Sequence, residues 1–398
     1  MNKISMFEIA ALSITIVIST SIMFTPYFAA QAAGQGAWIS VLAAGLIACI
    51  PTAAAVAVMA KFPRQSVIQA MPQLLGVFLG KIVSLLYACF FLFFAALAVW
   101  RMEAFAIRFL IPDTPQLVIR VIFLLGVAYG ALSGSTPLLR TNAYLMPLEI
   151  LVPILTVILP AARLNFNFLL PLFEQGVKPV INGTVLLLGW FCQVPVVILM
   201  FQRHVSDALL QGGGRKAVLG TLVATVTLGL GIIGILAAFG PEQTSTMFYP
   251  AFALVRIISV STFLEHTEVI FVVVWVASIF LATTFYIQAF AESISDILNF
   301  KGKSAKVWIM LISIFILTVW PLFFNFSFYV LLSTIRDIGA AAGTAFGGVF
   351  PLLLLVRVII APPKQKQKKA EPQAELSSSE TEGGVFGSEI EDGGEQKS

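Results

Sequence analysis

Two of about ten long apolar stretches between Glu8 and Ala361, the first and the sixth, are interrupted at their middles by helix-breaking residues. Lipid offers nothing to hydrogen-bond with, so a broken backbone at that depth survives only against protein or a wet cavity. In the first stretch, Ser19-Thr20-Ser21-Ile22-Met23-Phe24-Thr25-Pro26 sets hydroxyls and a proline within the apolar run. Pro26 has no N–H and leaves a carbonyl one turn earlier without its helical partner. In the sixth stretch, Gly189, Gln193 and Pro195 interrupt at a similar depth. Stretches one and six are equivalent if ten helices form two inverted halves of five, and paired broken helices mark a solute site near the membrane midplane. Half-helix amides suit a carboxylate, and freed carbonyls suit an ammonium group or a cation. Ordinary kinks, with Ser and Thr bonding back to the preceding turn, are the alternative.

The breaks matter because the chain belongs in a bilayer. With 59% hydrophobic and 11% charged residues it lies outside the range of soluble domains. Windows of roughly 20 apolar residues cross a hydrocarbon core as helices, and strand-like alternation of about 10 residues is absent. The expected fold class is therefore an all-α integral membrane protein. Spans are predicted near 8–31, 38–60, 82–110, 117–134, 143–161, 181–201, 217–239, 266–290, 305–324 and 338–361. The first is too long for a signal-peptide apolar region and has no small-residue cleavage site.

Placing the N-terminus inside gathers Lys61, Arg64, Lys81, Arg140, Arg203, Arg215, Lys216 and Arg357 on the cytoplasmic side. The opposite face keeps Arg108, Arg120, Arg163, Lys178, Arg256 and Arg336, so both termini are expected to be cytoplasmic. The net charge of +4 then reports topology, with no hint of nucleic-acid binding. Cys49, Cys89 and Cys192 fall within spans and offer neither a disulfide framework nor zinc spacing. Residues 1–361 read as one ten-helix domain, with inverted halves near 8–161 and 181–361. Residues 362–398, rich in Lys, Ser, Glu and Gly, read as a disordered cytoplasmic tail.

Several motifs in fixed order carry a family resemblance. They are Pro26…Gly36-Ala37-Trp38-Ile39, Phe109-Leu110-Ile111-Pro112-Asp113-Thr114-Pro115, Gly134 with Arg140, and Leu170-Pro171…Glu174-Gln175-Gly176-Val177-Lys178-Pro179. The most specific is Tyr249-Pro250…Arg256-Ile257-Ile258-Ser259…Phe263-Leu264-Glu265-His266-Thr267-Glu268…Trp275. Over most of residues 5–360 the chain resembles the B subunit of endospore germinant receptors, a permease-like family of the amino acid–polyamine–organocation superfamily. The resemblance implies a 5+5 inverted repeat, LeuT-like, whose broken helices 1 and 6, with helices 3 and 8, enclose a small germinant such as an amino acid. It also implies A-type and C-type partner subunits in the inner membrane of the spore. Two departures stand out. Ser19 and Ser21 replace glycines usual at the first break, and Glu265-His266 replaces a Glu-Arg pair, exchanging a fixed charge for one that titrates near neutrality.

The candidate ligand-binding residues are Ser19, Thr20, Ser21, Phe90, Phe94, Gly189, Cys192, Gln193, Thr283 and Thr284. Phe90 and Phe94, four apart, share a helix face that the resemblance turns toward the pocket. Gln193 is the sharpest candidate, because an amide inside a span must find a partner; a helix-to-helix hydrogen bond would satisfy it equally. Arg256, Glu265 and Glu268 are candidates for gating or subunit contact, with Tyr249–Val260 expected as a helix over the pocket. Arg101 and Glu103 do not face each other, so each needs another partner; they are expected to snorkel from a helix end, with a buried functional pair as the alternative. Glu149 is expensive if charged within a span, and is read as a proton carrier or as lying near an aqueous vestibule.

No nucleophile–His–acid set, metal cluster or phosphate loop is recognisable, so no enzyme activity and no cofactor are expected. Gly212-Gly213-Gly214 lacks a following Lys-Ser/Thr. The expected function is ligand sensing for germination. The alternative is an autonomous proton- or sodium-coupled amino acid transporter. An ion channel would need a ring of like polar groups.

Overall fold

The computed structural model describes residues 5–174, 176–204, 213–257, 267–300, 302–322 and 327–361. Candidate residue Glu265, its neighbour His266 and the tail from residue 362 lie outside them. Among the described residues the regular structure is helical. The first span consists of α1 (Met6–Ser21) and α2 (Thr25–Ala33), separated by a turn. Then follow α3 (Ala37–Met59), a short α4 (Val67–Leu75), α5 (Val77–Phe109), α6 (Gln116–Leu132) and α7 (Ser135–Ile158). The sixth span is again divided, into α8 (Lys178–Phe191) and α9 (Gln193–Phe201). The chain continues with α10 (Gly213–Thr246), which is broken by a kink at Gly240 with φ of +73°, a short α11 (Pro250–Arg256), α12 (Thr267–Ile297), α13 (Lys303–Val319) and α14 (Phe328–Ile360).

Both expected breaks are present, at the expected residues. Pro26 cannot close a bond to the Ile22 carbonyl, and the α1–α2 turn falls at Ile22–Phe24. Pro195 removes the corresponding bond to the Phe191 carbonyl, and Cys192 separates α8 from α9 with ψ near −2°. Several helices outrun their apolar windows. α7 begins at Ser135, after Gly134 at a φ of +91°, and α12 continues to Ile297. These extensions are polar, and their Glu292, Ser293 and Ser295 are buried between helices. Hydropathy alone does not reveal a helix whose end faces protein instead of lipid.

α14 is wound irregularly, with π-helical turns at Thr334–Gly339 and Thr344–Val349. Wide turns leave carbonyls for other donors, and the Tyr87 hydroxyl of α5 donates to the Phe346 carbonyl at 2.9 Å. The same stretch packs closely against span 6. A Cβ on Gly189 would overlap the Ala340 backbone, and one on Gly347 would overlap the Cys192 carbonyl. Gly189→Ala is therefore expected to cost about 1–3 kcal/mol through overpacking, measured as a lower denaturation midpoint in detergent. An unchanged midpoint would show that the two helices part without penalty.

Candidate functional site

Span 8, the helix α12, ties together the two breaks. Its Trp275 indole N–H donates to the Ser19 carbonyl at 3.1 Å, holding the last turn of α1. Its Tyr286 hydroxyl donates to Gln193 Oε1 at 2.6 Å, holding the start of α9. The Gln193 amide N–H donates in turn to the Trp190 carbonyl at 3.2 Å, so one side chain caps the break and crosslinks two spans. Ser19 and Ser21 are buried, and their hydroxyls have no hydrogen-bond partner among the described residues. Thr25, just past the break, has a buried hydroxyl in the same condition.

Span 3 forms the facing wall. α5 runs antiparallel to α12, with Phe94 against Tyr286 at 5.9 Å and Phe105 against Trp275 at 5.0 Å between ring centroids. Phe90 stacks on Phe94 at 4.5 Å but also meets Phe346 of α14 at 5.6 Å. On the same face lies Arg101, seven residues after Phe94 and four before Phe105. Its side chain does not snorkel. It is only 1% exposed, near enough to Tyr286 to interact electrostatically, and its Nε and Nη1 have no hydrogen-bond partner among the described residues. Glu103 does not snorkel either. It points elsewhere, taking a bidentate bond from buried Arg120 of α6 with the shortest contact at 2.7 Å.

The other candidates are placed less centrally. Thr20 and Thr283 bond back to the Ile16 and Ile279 carbonyls of their own helices. Thr284 bonds back to Phe280, and its methyl approaches Gly130 of α6. Cys192 turns its sulfur toward Gly348 of α14, and Gly189 serves the packing against α14 described above. The junction between the breaks therefore gathers Ser19, Ser21, Phe94 and Gln193 from the predicted set. Arg101, Trp275 and Tyr286 join them without having been predicted as site residues. Trp275 lay within the most specific family motif, which is the one signal that pointed toward it.

Both ends of the junction are covered. At one end the aromatic rings of Tyr249 and Phe252, from the start of α11, sit among Phe24, Phe105 and Phe109, with Tyr249 5.1 Å from Phe24 and 5.2 Å from Phe109. Burial raises the Tyr249 phenol above its ordinary pKa, so it stays protonated. Of the helix expected over 249–260, the described residues show Pro250–Arg256, and residues 258–260 lie outside them; the Arg256 guanidinium is 5.8 Å from the Phe252 ring. At the opposite end, Arg203 after α9 pairs with Glu292 and, at 2.9 Å, with Asp296, both of α12. His204 lies 3.4 Å from Glu292, Ser135 donates to Glu292, and Ser66, which caps α4, and Gln69 within it both donate to Asp296 at 2.8 Å. A cavity of about 910 Å³ lies on the other face of α5, lined in part by Trp100, Glu103, Arg108 and Arg120, and is separate from this junction.

Glu149 of α7 is fully buried, and its Oε2 accepts from Thr15 of α1 at 2.6 Å while Oε1 has no partner among the described residues. A carboxyl so placed joins span 5 to span 1 about two turns before the break.

A family profile described as spore germination protein matches residues 3–327. The chain belongs to the spore germination permease family. Among curated members, it is 26% identical over 258 residues to spore germination protein XB of Bacillus anthracis, covering 65% of this chain and 70% of that one. To spore germination protein KB of Bacillus subtilis (strain 168) it is 22% identical over 376 residues, covering 93% and 98%. The fold is that of LeuT-like transporters, ten helices in a 5+5 inverted repeat with helices 1 and 6 broken. The structure of MhsT in complex with L-phenylalanine matches with a TM-score of 0.61 at 15% identity, over 87% of this chain and 88% of that chain. The closed, bromovinylhydantoin-bound structure of Mhp1, a nucleobase-cation-symport-1 family transporter, matches with 0.63 at 16% identity, over 88% and 77%. This spore germination permease is thus a multipass membrane protein of permease type and not an enzyme.

Proposed function

We propose that the protein is the ligand-sensing, permease-like subunit of a germinant receptor, binding a small germinant such as an amino acid between spans 1, 3, 6 and 8. The observation that carries this reading is the double tie of span 8 to the breaks, Trp275 to Ser19 and Tyr286 to Gln193. A ligand seated on either break competes with or reinforces one tie. Binding then biases the position of span 8, and with it the ion-pair end of the bundle. A- and C-type partner subunits read that change at the inner membrane of the spore, with both termini of this chain in the cytoplasm. Family membership and the L-phenylalanine complex of a protein with the same fold support an amino-acid-sized ligand.

One observation favours the second reading, autonomous coupled transport. Glu149 is a buried carboxyl with one oxygen unbonded beside span 1, which is where a proton or a cation would couple to the break. Two experiments separate the readings. Co-purification of the tagged chain with A- and C-type subunits is the expected result for a receptor. Accumulation of labelled amino acid by proteoliposomes holding this chain alone would establish the transporter instead. Under either reading Ser19→Ala, which adds no charge to a span, leaves membrane insertion intact. It is expected to shift the half-effective ligand concentration about threefold to tenfold, the effect of roughly one hydrogen bond. A wild-type dose response would place the ligand away from the first break.

A further inference from the structure

Arg101 is the charged group at the junction that has no counter-ion among the described residues. A guanidinium stays charged at every physiological pH and presents five donors in a planar fork. Burying it without an anion is among the most costly things a fold can do. Yet at 1% exposure two of its nitrogens have no partner, and among the described residues no salt bridge reaches it. The acid nearest in sequence, Glu103, is committed to Arg120 on another face. Glu149 is committed to Thr15. Arg101 stands on the face of α5 that meets span 8, between the Trp275–Phe105 and Tyr286–Phe94 contacts and therefore between the two ties to the breaks.

We propose that Arg101 is the carboxylate receptor of this site and that the ligand is an acidic amino acid, with a second carboxylate beyond its α-carboxylate. The inference rests on the ligand-sensing reading above and adds the ligand's class to it. The amide ends and freed carbonyls of the breaks serve the α-carboxylate and the ammonium group, as they would for any amino acid. The fork of Arg101 takes the side-chain carboxylate by two parallel N–H···O bonds. A neutral analogue of the same shape leaves the fork unpaired and is rejected, as sites built around a buried polar group reject ligands that lack its partner.

The test is binding of L-glutamate, L-aspartate, L-glutamine and L-alanine to the purified full chain in detergent, by calorimetry and by ligand-induced thermal shift. The expected result is binding of L-glutamate or L-aspartate at least tenfold tighter than of L-glutamine or L-alanine. Arg101→Gln should reverse that order, and Arg101→Lys should keep the order with weaker binding, because an ammonium retains charge without the fork. If wild-type protein binds L-glutamine or L-alanine as well as the acids, and Arg101→Gln leaves that binding unchanged, the carboxylate role is wrong while the amino acid site stands. If none of the four binds, the acidic-ligand inference fails, while the ligand-sensing reading is decided separately by the response of spores to single amino acids and sugars. Should Arg101→Gln fold poorly, the four-ligand comparison on wild type and Arg101→Lys still decides.

Discussion

Arg203→Met is expected to destabilise the protein by about 3–5 kcal/mol, the usual cost of removing one partner from a buried ionic group. Arg203 neutralises Glu292 and Asp296 together, and all three side chains are at most 10% exposed. Methionine keeps most of the volume and removes the charge, so two carboxylates remain with His204, Ser135, Ser66 and Gln69 as their partners. The measurement is denaturant unfolding in a fixed detergent. Adding Glu292→Gln and Asp296→Asn to Arg203→Met should recover most of the loss, since a neutral cluster has little left to compensate. A loss below about 0.5 kcal/mol would mean that the cluster is solvated and that it holds no end of the bundle closed. Because the cluster joins spans 6 and 8, the same variant should also raise ligand-independent signalling, by favouring the arrangement in which this end is open.

Gln193→Leu is expected to cost roughly 2–6 kcal/mol, because it strands two buried groups at once at about 1–3 kcal/mol each. The Trp190 carbonyl loses its donor and the Tyr286 hydroxyl loses its acceptor. Tyr286→Phe should cost less, as it leaves only the Gln193 oxygen unpaired. The two changes together should cost less than their sum, by about 1 kcal/mol or more, the signature of direct contact in a double-mutant cycle. Additive effects would show that the bond does not form in the protein. Ligand response should fall in each variant, since each frees span 6 from span 8.

Much of this architecture is legible in the residues themselves. Apolar windows locate the spans, and Pro26 and Pro195 locate the breaks because a missing N–H has a local consequence wherever it occurs. Gln193 was recognisable by the same logic, as an amide that a span must satisfy. Arg101 was not. Spacing along the chain suggested a long side chain reaching for the interface, whereas its helix face turns it inward against span 8. Gly189 is a candidate ligand-binding residue by its place at the second break, and its actual neighbour is the α14 backbone, wound in π turns that no pattern of apolar residues announces. The ion-pair end also escaped, because Arg203 and Asp296 are 93 residues apart and meet only through the packing of spans 6 and 8.

The central claim, that this chain senses a germinant, is tested most directly by release of core ions from spores that carry or lack it, on exposure to single amino acids and sugars. The account predicts that spores lacking the chain lose their response to one ligand and keep their response to the rest. An identical response to every ligand with and without the chain would contradict it.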